Sequence, residues 1–393
     1  MPKIKLFILI IAFCFLGGPR IFATEPDVNN GGINTDKIIE NQLEMFNWSE
    51  IQKLEQELSY NVPELKDFDL KHEVMLILKG QKEFNLSTVL EFIKDSLFAD
   101  VFTYINVIVR FILIVIICNM LNNLSAAFDT KATTKIAFFV CNIVVLYSVM
   151  QSLVLIVELA HKTIDMLQGV MLIMLPTLLA FMAASGYIAT SAAMSPIIIG
   201  ALNMMVFIVQ NILLPNVIIV VILQILNSLS DEFEINKLIA LYYRINKWIL
   251  GTIFATSLAI LGIYRMSLPF TDLTMKRVGL SLSTKLIPIL GNAVSGAVDM
   301  IIQISGMIKN AFGVGVIIFI VIVIATPLIK IFAYIFLYQV AAAVIEPLGD
   351  KKMAKIATDI AKGCEFVMSC VGTVSILSIL ALVVCMSVGS GLL

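Results

Sequence analysis

Long apolar runs dominate the chain from Val101 onward, and their lengths set the expected architecture. Eight stretches have the size and composition of membrane crossings: 101–121, 136–157, 166–184, 196–226, 248–264, 286–306, 314–338 and 364–388. A bilayer core of about 30 Å is crossed by about 20 helical residues. Pro215 inside the long 196–226 stretch predicts a kink or a steep tilt. The 286–306 stretch carries Gly291, Asn292, Ser295, Gly296, Asp299 and Gln303, so it reads either as a crossing or as a re-entrant or interfacial segment. Upstream the pattern changes. Ile39, Leu43, Phe46, Ile51, Leu54 and Leu58 fall at helical spacing across 36–60, Ser49 with Gln52 resembles a capping box, and Pro63 breaks the chain. A second stripe, Leu86, Leu90, Ile93 and Leu97, ends directly before the first long run. It is the candidate docking stripe for a partner, with Glu91, Lys94 and Asp95 elsewhere on the wheel.

The N-terminus reads separately. Lys3 and Lys5 precede an apolar run from Leu6 to Leu16, Gly17-Gly18-Pro19 interrupts it, and Ile21-Phe22-Ala23 offers a cleavage site. This is the pattern of a secretory signal peptide, with an uncleaved anchor as the alternative that Arg20 keeps open. The expected organisation is therefore a signal peptide over 1–23, an acidic helical extracytoplasmic region over 24–100, and a polytopic transmembrane, permease-like domain over 101–393. The fold class is all-α, a polytopic membrane helix bundle of about eight spans.

Composition agrees. Of 393 residues, 59% are hydrophobic and 14% charged, against about 45–50% and about 25% in soluble domains. Mean hydropathy is +0.97. Residues 24–100 hold 16 acids and 7 lysines, whereas 101–393 hold 12 acids and 17 bases. Collagen-like, disordered and disulfide-scaffold classes are excluded, and the absence of a basic stripe excludes nucleic acid as a partner. Five cysteines (Cys118, Cys141, Cys364, Cys370 and Cys385) lie in or beside apolar runs, and small apolar packing accounts for them. With the head outside and all eight stretches spanning, the inside loops 122–135, 185–195, 265–285 and 339–363 carry ten Lys and Arg. The outside loops 158–165, 227–247 and 307–313 carry five. The positive-inside rule thus favours eight spans, with the C-terminus outside.

Seven prolines, from Pro176 to Pro347, punctuate the body about once per segment. Broken helices lining a cavity and ordinary kinks in packed helices both account for them. Gly313-Val314-Gly315 and Ala183-Ala184-Ser185-Gly186 permit close helix approach. Four ionisable residues lie in or at the edge of apolar runs: Arg110, Glu158, Asp299 and Lys330. Charge at bilayer depth faces the bundle interior or a wet cavity, so Arg110, Asp299 and Lys330 are the candidate intramembrane or pore residues. Asp299 and Lys330 are expected partners across two segments, as a buried structural pair or as conduit lining. His72 and His161 stand far apart, and neither a Walker loop nor a GxSxG elbow occurs. No catalytic, cofactor or metal residues are expected.

Several motifs carry a family resemblance. Leu121-Asn122-Asn123-Leu124-Ser125-Ala126-Ala127-Phe128-Asp129 is one, and Leu175-Pro176-Thr177-Leu178-Leu179 running on to Ala184-Ser185-Gly186 is another. A longer series begins at Lys285-Leu286-Ile287-Pro288-Ile289-Leu290-Gly291. It passes through Ser295, Ala297-Val298-Asp299 and Ile308-Lys309-Asn310-Ala311-Phe312-Gly313-Val314-Gly315, and ends at Pro327-Leu328-Ile329-Lys330-Ile331 and Glu346-Pro347-Leu348-Gly349-Asp350. In order across 86–390, these resemble the stage III sporulation protein AE family; Asn292 departs from its pattern, which has a second glycine there. The resemblance implies a membrane subunit required for forespore development after engulfment, set in the mother-cell membrane around the forespore. It implies an export-platform or permease-like role in a channel complex, alongside a secretion-type ATPase and ring-forming proteins of the same operon, and indirectly stage II sporulation protein Q. A stand-alone small-molecule exporter and a non-transporting scaffold are the alternatives.

Overall fold

The computed structural model describes residues 48–60, 62–66, 68–80, 109–120, 131–229, 235–267, 291–348 and 351–388, with a few isolated positions. Residues 1–23, expected as a signal peptide, and the Leu86, Leu90, Ile93, Leu97 stripe lie outside the described residues. Two short helices, α1 (Trp48–Ser59) and α2 (Leu70–Leu78), flank a 3₁₀ turn at Pro63–Leu65. The body comprises α3 (Val109–Met120), α4 (Lys131–Ala184), α5 (Ile188–Ile208), a π-turn (Val209–Leu213), α6 (Leu214–Leu229), α7 (Asn236–Ser267), α8 (Gly291–Ile345) and α9 (Lys351–Ser387). Every described element is helical, so the all-α membrane bundle stands. Among the described residues, five helical stretches are long and apolar enough to cross a membrane: Phe139–Ala184, Ile188–Ser228, Asn236–Ile263, Met300–Ile345 and Lys351–Ser387.

Two expected chain reversals are not there. Residues 158–165 lie inside α4, which has 54 residues, and 307–313 lie inside α8, which has 55. At 1.5 Å per residue each helix is about 80 Å long. Polarity alone is not a stop signal. Glu158-Leu159-Ala160-His161-Lys162-Thr163-Ile164-Asp165 contains no glycine or proline, and Glu158 and Lys162 pair at 3.2 Å one helical turn apart. Likewise 351–363, read as loop, is the first third of α9.

Pro215 acts as expected, through a change of helical register. Proline has no N–H and its ring crowds the carbonyl four residues back. The chain widens just before it, and the Leu214 N–H reaches five residues back to the Val209 carbonyl.

The α8–α9 hairpin, joined by the 3₁₀ turn Glu346–Leu348, forms the core with α4 laid along it and α6 against α9. Glycines set the closest approaches. A Cβ on Gly313 would overlap Met386 of α9, and one on Gly363 would overlap Val221 of α6. On Gly315 it would stand 2.9 Å from Leu70 and 3.1 Å from Val74, so α2 seats directly on the α8 backbone. The reading of Gly313-Val314-Gly315 therefore holds. The 183–186 run serves differently: Gly186, at φ +89°, ends α4 in a Schellman turn, with Gly186 N–H on Ala183 O and Tyr187 N–H on Met182 O. All five cysteines named above are free and buried, as packing predicts.

Two ends of the bundle follow. At one, Trp48 of α1 meets Phe312 of α8 (6.0 Å between ring centres), Phe312 meets Phe181 of α4 (5.3 Å), and Phe68 meets Phe319 (5.5 Å). The C-terminus of α9 lies here too, because Lys309 reaches Val388. At the other end, Gly363 sits against Val221, and Tyr243 lies within electrostatic reach of Asp359 and Glu365. The α6–α7 and α8–α9 turns therefore share one end. The eight-span arrangement put 227–247 and 339–363 on opposite sides; fusing 286–306 with 314–338 removes one crossing between them and brings them together.

Candidate functional site

Most polar groups in the bundle are satisfied locally. The hydroxyls of Thr358, Ser369, Thr373, Ser375 and Ser378 on α9 each donate to the carbonyl four residues back. Between α6 and α7 runs a ladder of side-chain bonds: Asn216 to Asn246 (3.2 Å), Tyr243 to Gln224 (3.1 Å) and Asn227 to Asn236 (2.9 Å). Such bonds hold helices together where apolar contact alone does not discriminate protein from lipid.

Three groups at the head end do more than this. Asp272 is buried and accepts from the N–H groups of Ala189 and Thr190 at 3.0 and 2.8 Å, placing a carboxylate at the first turn of α5. Lys309, only 2% exposed, donates to the Val388 carbonyl just past the end of α9, where the helix dipole favours a cation. Glu55 of α1 accepts from the Leu70 N–H at 2.9 Å, tying α1 to the start of α2, whose N-cap Asp69 accepts from His72 N–H. Burial pushes the Glu55 carboxyl up to about 7, the Leu70 bond pulls against that, and Asp69 adds to the rise.

The fourth group lies mid-way along the bundle and faces outward. Glu158, Lys162 and Asp165 follow one another on the exposed face of α4. Gln210, on the π-turn, donates to Asp165 at 2.7 Å and to the His161 carbonyl at 3.4 Å. One turn further, Gln168 donates to Asn203 at 2.8 Å beside Ser378 of α9. The π-turn exposes Gln210 to α4 as it accommodates Pro215.

This architecture can be set beside known proteins. The family model for stage III sporulation protein AE matches residues 68–389, from just before α2 through the end of α9. The chain belongs to that family. A relative from Bacillus subtilis (strain 168), named stage III sporulation protein AE, is 26% identical over 320 residues, covering 81% of this chain and 80% of that protein. No solved structure matches. Membership in the stage III sporulation protein AE family implies a role in sporulation, and the matched region leaves out α1 while containing the whole bundle.

Within this family member the residues singled out from sequence do not converge. Arg110 is exposed on α3, and Lys330 is half-buried on α8. Asp299 and Lys330 both belong to α8, 31 residues apart, hence about 46 Å along one axis. The expected pairing is overturned, because the segment between them continues as helix instead of folding back. Lys309 and the Asp165–Gln210 contact were missed. Lys309 had a legible signal: the apolar spacing Ile304, Ile308, Phe312 runs through the supposed loop and puts Lys309 beside the buried stripe.

Proposed function

We propose that this chain is the multi-pass membrane subunit of a sporulation assembly joining mother cell and forespore, acting as its export-platform or permease-like component in the mother-cell membrane around the forespore. One observation carries the reading. The exposed large apolar side chains of α8 stand near its two ends, Ile301 at one and Phe336, Val340 and Val344 at the other, and Ile301 and Val344 are 43 residues or about 65 Å apart, whereas the hydrocarbon layer is about 30 Å thick. Lipid cannot cover that height, so protein covers the remainder. The core between α4, α8 and α9 is filled by fully buried Phe312, Phe319 and Tyr338, which supports a passage between subunits over one along the axis of a single subunit.

Charge supports an orientation. Nine Lys and Arg flank the end with the α6–α7 and α8–α9 turns (122–135, 227–247 and 339–363), against four at the head end (185–195 and 265–285). The basic end is cytoplasmic and the acidic head lies outside. With 101–121 and the five long helices crossing, the chain passes the membrane six times, and the head and Val388 share the outer side. The proposed partners are the ATPase and the ring-forming proteins of the same operon, with stage II sporulation protein Q reached indirectly; the subunit itself carries no chemistry. Affinity isolation of the full chain from membranes of sporulating cells tests this. The ATPase and ring-forming proteins co-isolate, and deletion blocks spore formation after engulfment. A chain that purifies alone, from cells whose deletion strain sporulates normally, contradicts it and favours the stand-alone exporter. Assembly without any effect of the deletion on solute passage favours the scaffold.

A further inference from the structure

Three side chains stand together near the basic end of α7. Arg244, Lys247 and Trp248 are spaced i, i+3 and i+4, which makes them neighbours on the helix surface, and all three are exposed. The helix itself fixes their depth. From Trp248 to Tyr264 it carries no Asp, Glu, Lys or Arg over 17 residues, about 26 Å, and Arg265 ends the run. A hydrocarbon layer of about 30 Å therefore stops at Lys247, with Trp248 at its edge and Arg244 one turn further out, among the head groups. Cations on the neighbouring helices are neutralised by their own helix: Lys162 pairs with Glu158 at 3.2 Å on α4, and Lys362 with Asp359 at 2.9 Å on α9. α7 cannot do this, because 236–267 contains no Asp or Glu. Among the described residues, no carboxylate of another helix pairs with Arg244 or Lys247 either.

Resting on the membrane reading and orientation above, we infer that this corner of α7 binds an anionic phospholipid of the cytoplasmic leaflet. The Arg244 guanidinium matches two oxygens of the phosphodiester with its planar fork. Lys247 meets the net negative charge that separates an anionic head group from a zwitterionic one. Trp248 sits at the boundary between head group and acyl chain. Toward the outer side the same face is small: Gly251, Ala255 and Gly262 are exposed, and a Cβ on either glycine would meet nothing within 4 Å. An acyl chain lies along that shallow face, below its own head group. Charge alone would also suit an acidic protein segment, but the span decides for lipid. α7 is the least covered of the five spans, with 22% of its apolar window buried, and the lipids that cover the rest bring their head groups to Arg244 and Lys247. A second copy of this face would oppose cation to cation.

Trp248 is itself the probe. The chain has two tryptophans, Trp48 and Trp248, so subtracting the fluorescence of the Trp248→Phe chain from that of the parent isolates Trp248 and leaves Trp48 in place. The full chain is reconstituted in phosphatidylcholine vesicles containing increasing fractions of brominated phosphatidylglycerol or of brominated phosphatidylcholine. The anionic lipid half-quenches Trp248 at a mole fraction at least about fivefold lower than the zwitterionic one, the gain expected of one surface cation. Arg244→Gln with Lys247→Gln brings the two lipids level. Lys237→Gln, which removes the same charge two turns further from the apolar layer, keeps the preference. Equal quenching by both lipids in the parent, or a loss with Lys237→Gln as large as with the Arg244→Gln and Lys247→Gln pair, overturns the site and leaves the proposed function standing. Quenching by neither lipid overturns the site together with the membrane level assigned to α7.

Discussion

α8 and α7 are both span-length and apolar, yet they occupy opposite positions: 67% of the apolar window of α8 is buried inside the chain, against 22% for α7. Lipid is as apolar as a protein core, so hydropathy does not decide which helix goes inside. Side-chain size does. α8 carries Gly313 and Gly315, each under a close neighbour, and α9 carries Gly363. The glycines of α7, Gly251 and Gly262, face open space, and its surface bears exposed Leu241, Ile245, Trp248 and Ile263. Glycine marks the seam where it meets a backbone or a stiff side chain, and means little where it meets nothing.

The sharpest way to break this contrast is to fill the glycines. Gly363→Leu forces a side chain onto branched Val221 and is expected to cost about 3 kcal/mol of stability, read as loss of membrane-inserted protein and a lower melting temperature in detergent. Gly251→Leu on α7 is expected to change neither. Equal losses at both positions would end the distinction between seam and surface.

Next is the buried cation. Lys309→Ala removes a fully packed side chain and its bond to the end of α9, at about 2–3 kcal/mol. Lys309→Met keeps the volume and removes the charge, and should stay within about 1 kcal/mol of the parent. A Met variant as unstable as the Ala variant would mean that the charge, and not the packing, holds the α8–α9 seam at the head end.

A smaller effect concerns how the head is held on α8. The Glu55 carboxyl has its acidity shifted up by burial to about 7. The protonated form is therefore the one that the folded α1–α2 corner favours. Stabilisation from it is complete below the ordinary carboxylate range and disappears as pH rises through about 7. The protection of α1 amides, measured against the intrinsic exchange rate at each pH, should be lower at pH 8 than at pH 6 in the whole protein, and Glu55→Gln, which keeps the acceptor, should remove the difference. Unchanged protection across that range in the parent would show that Glu55 does not hold the corner.

The smallest expected change is at Trp248. Trp248→Ala leaves the core untouched, so detergent stability should move by no more than about 0.5 kcal/mol. A larger drop would place α7 in the core after all.

Much of this was legible in the sequence. The helical class, the packing role of the cysteines, the disturbance at Pro215 and the close approach at Gly313-Val314-Gly315 all follow from local rules. Polarity within an apolar run is the less legible feature. Glu158 to Asp165 and Lys309 to Asn310 look like loops to a hydropathy window, although no breaker ends the helix there. Reading them as loops separates 227–247 from 339–363 and pairs Asp299 with Lys330 across a turn that α8 does not make. Lys309 is buried because it meets the end of a helix some 80 residues away in sequence, a long-range partner that no window reveals. Gln210 reaches Asp165 only because the π-turn rotates it there.

The central claim is that α4 and α8 run unbroken and bring both basic turns to the cytoplasmic face. Labelling Lys237→Cys and Lys352→Cys with a membrane-impermeant maleimide, in intact cells and in opened membranes, tests it most directly. Both positions should stay unlabelled in intact cells and react together once the membrane is opened. Labelling of Lys237→Cys from outside while Lys352→Cys stays protected would restore the separate crossings and contradict the account.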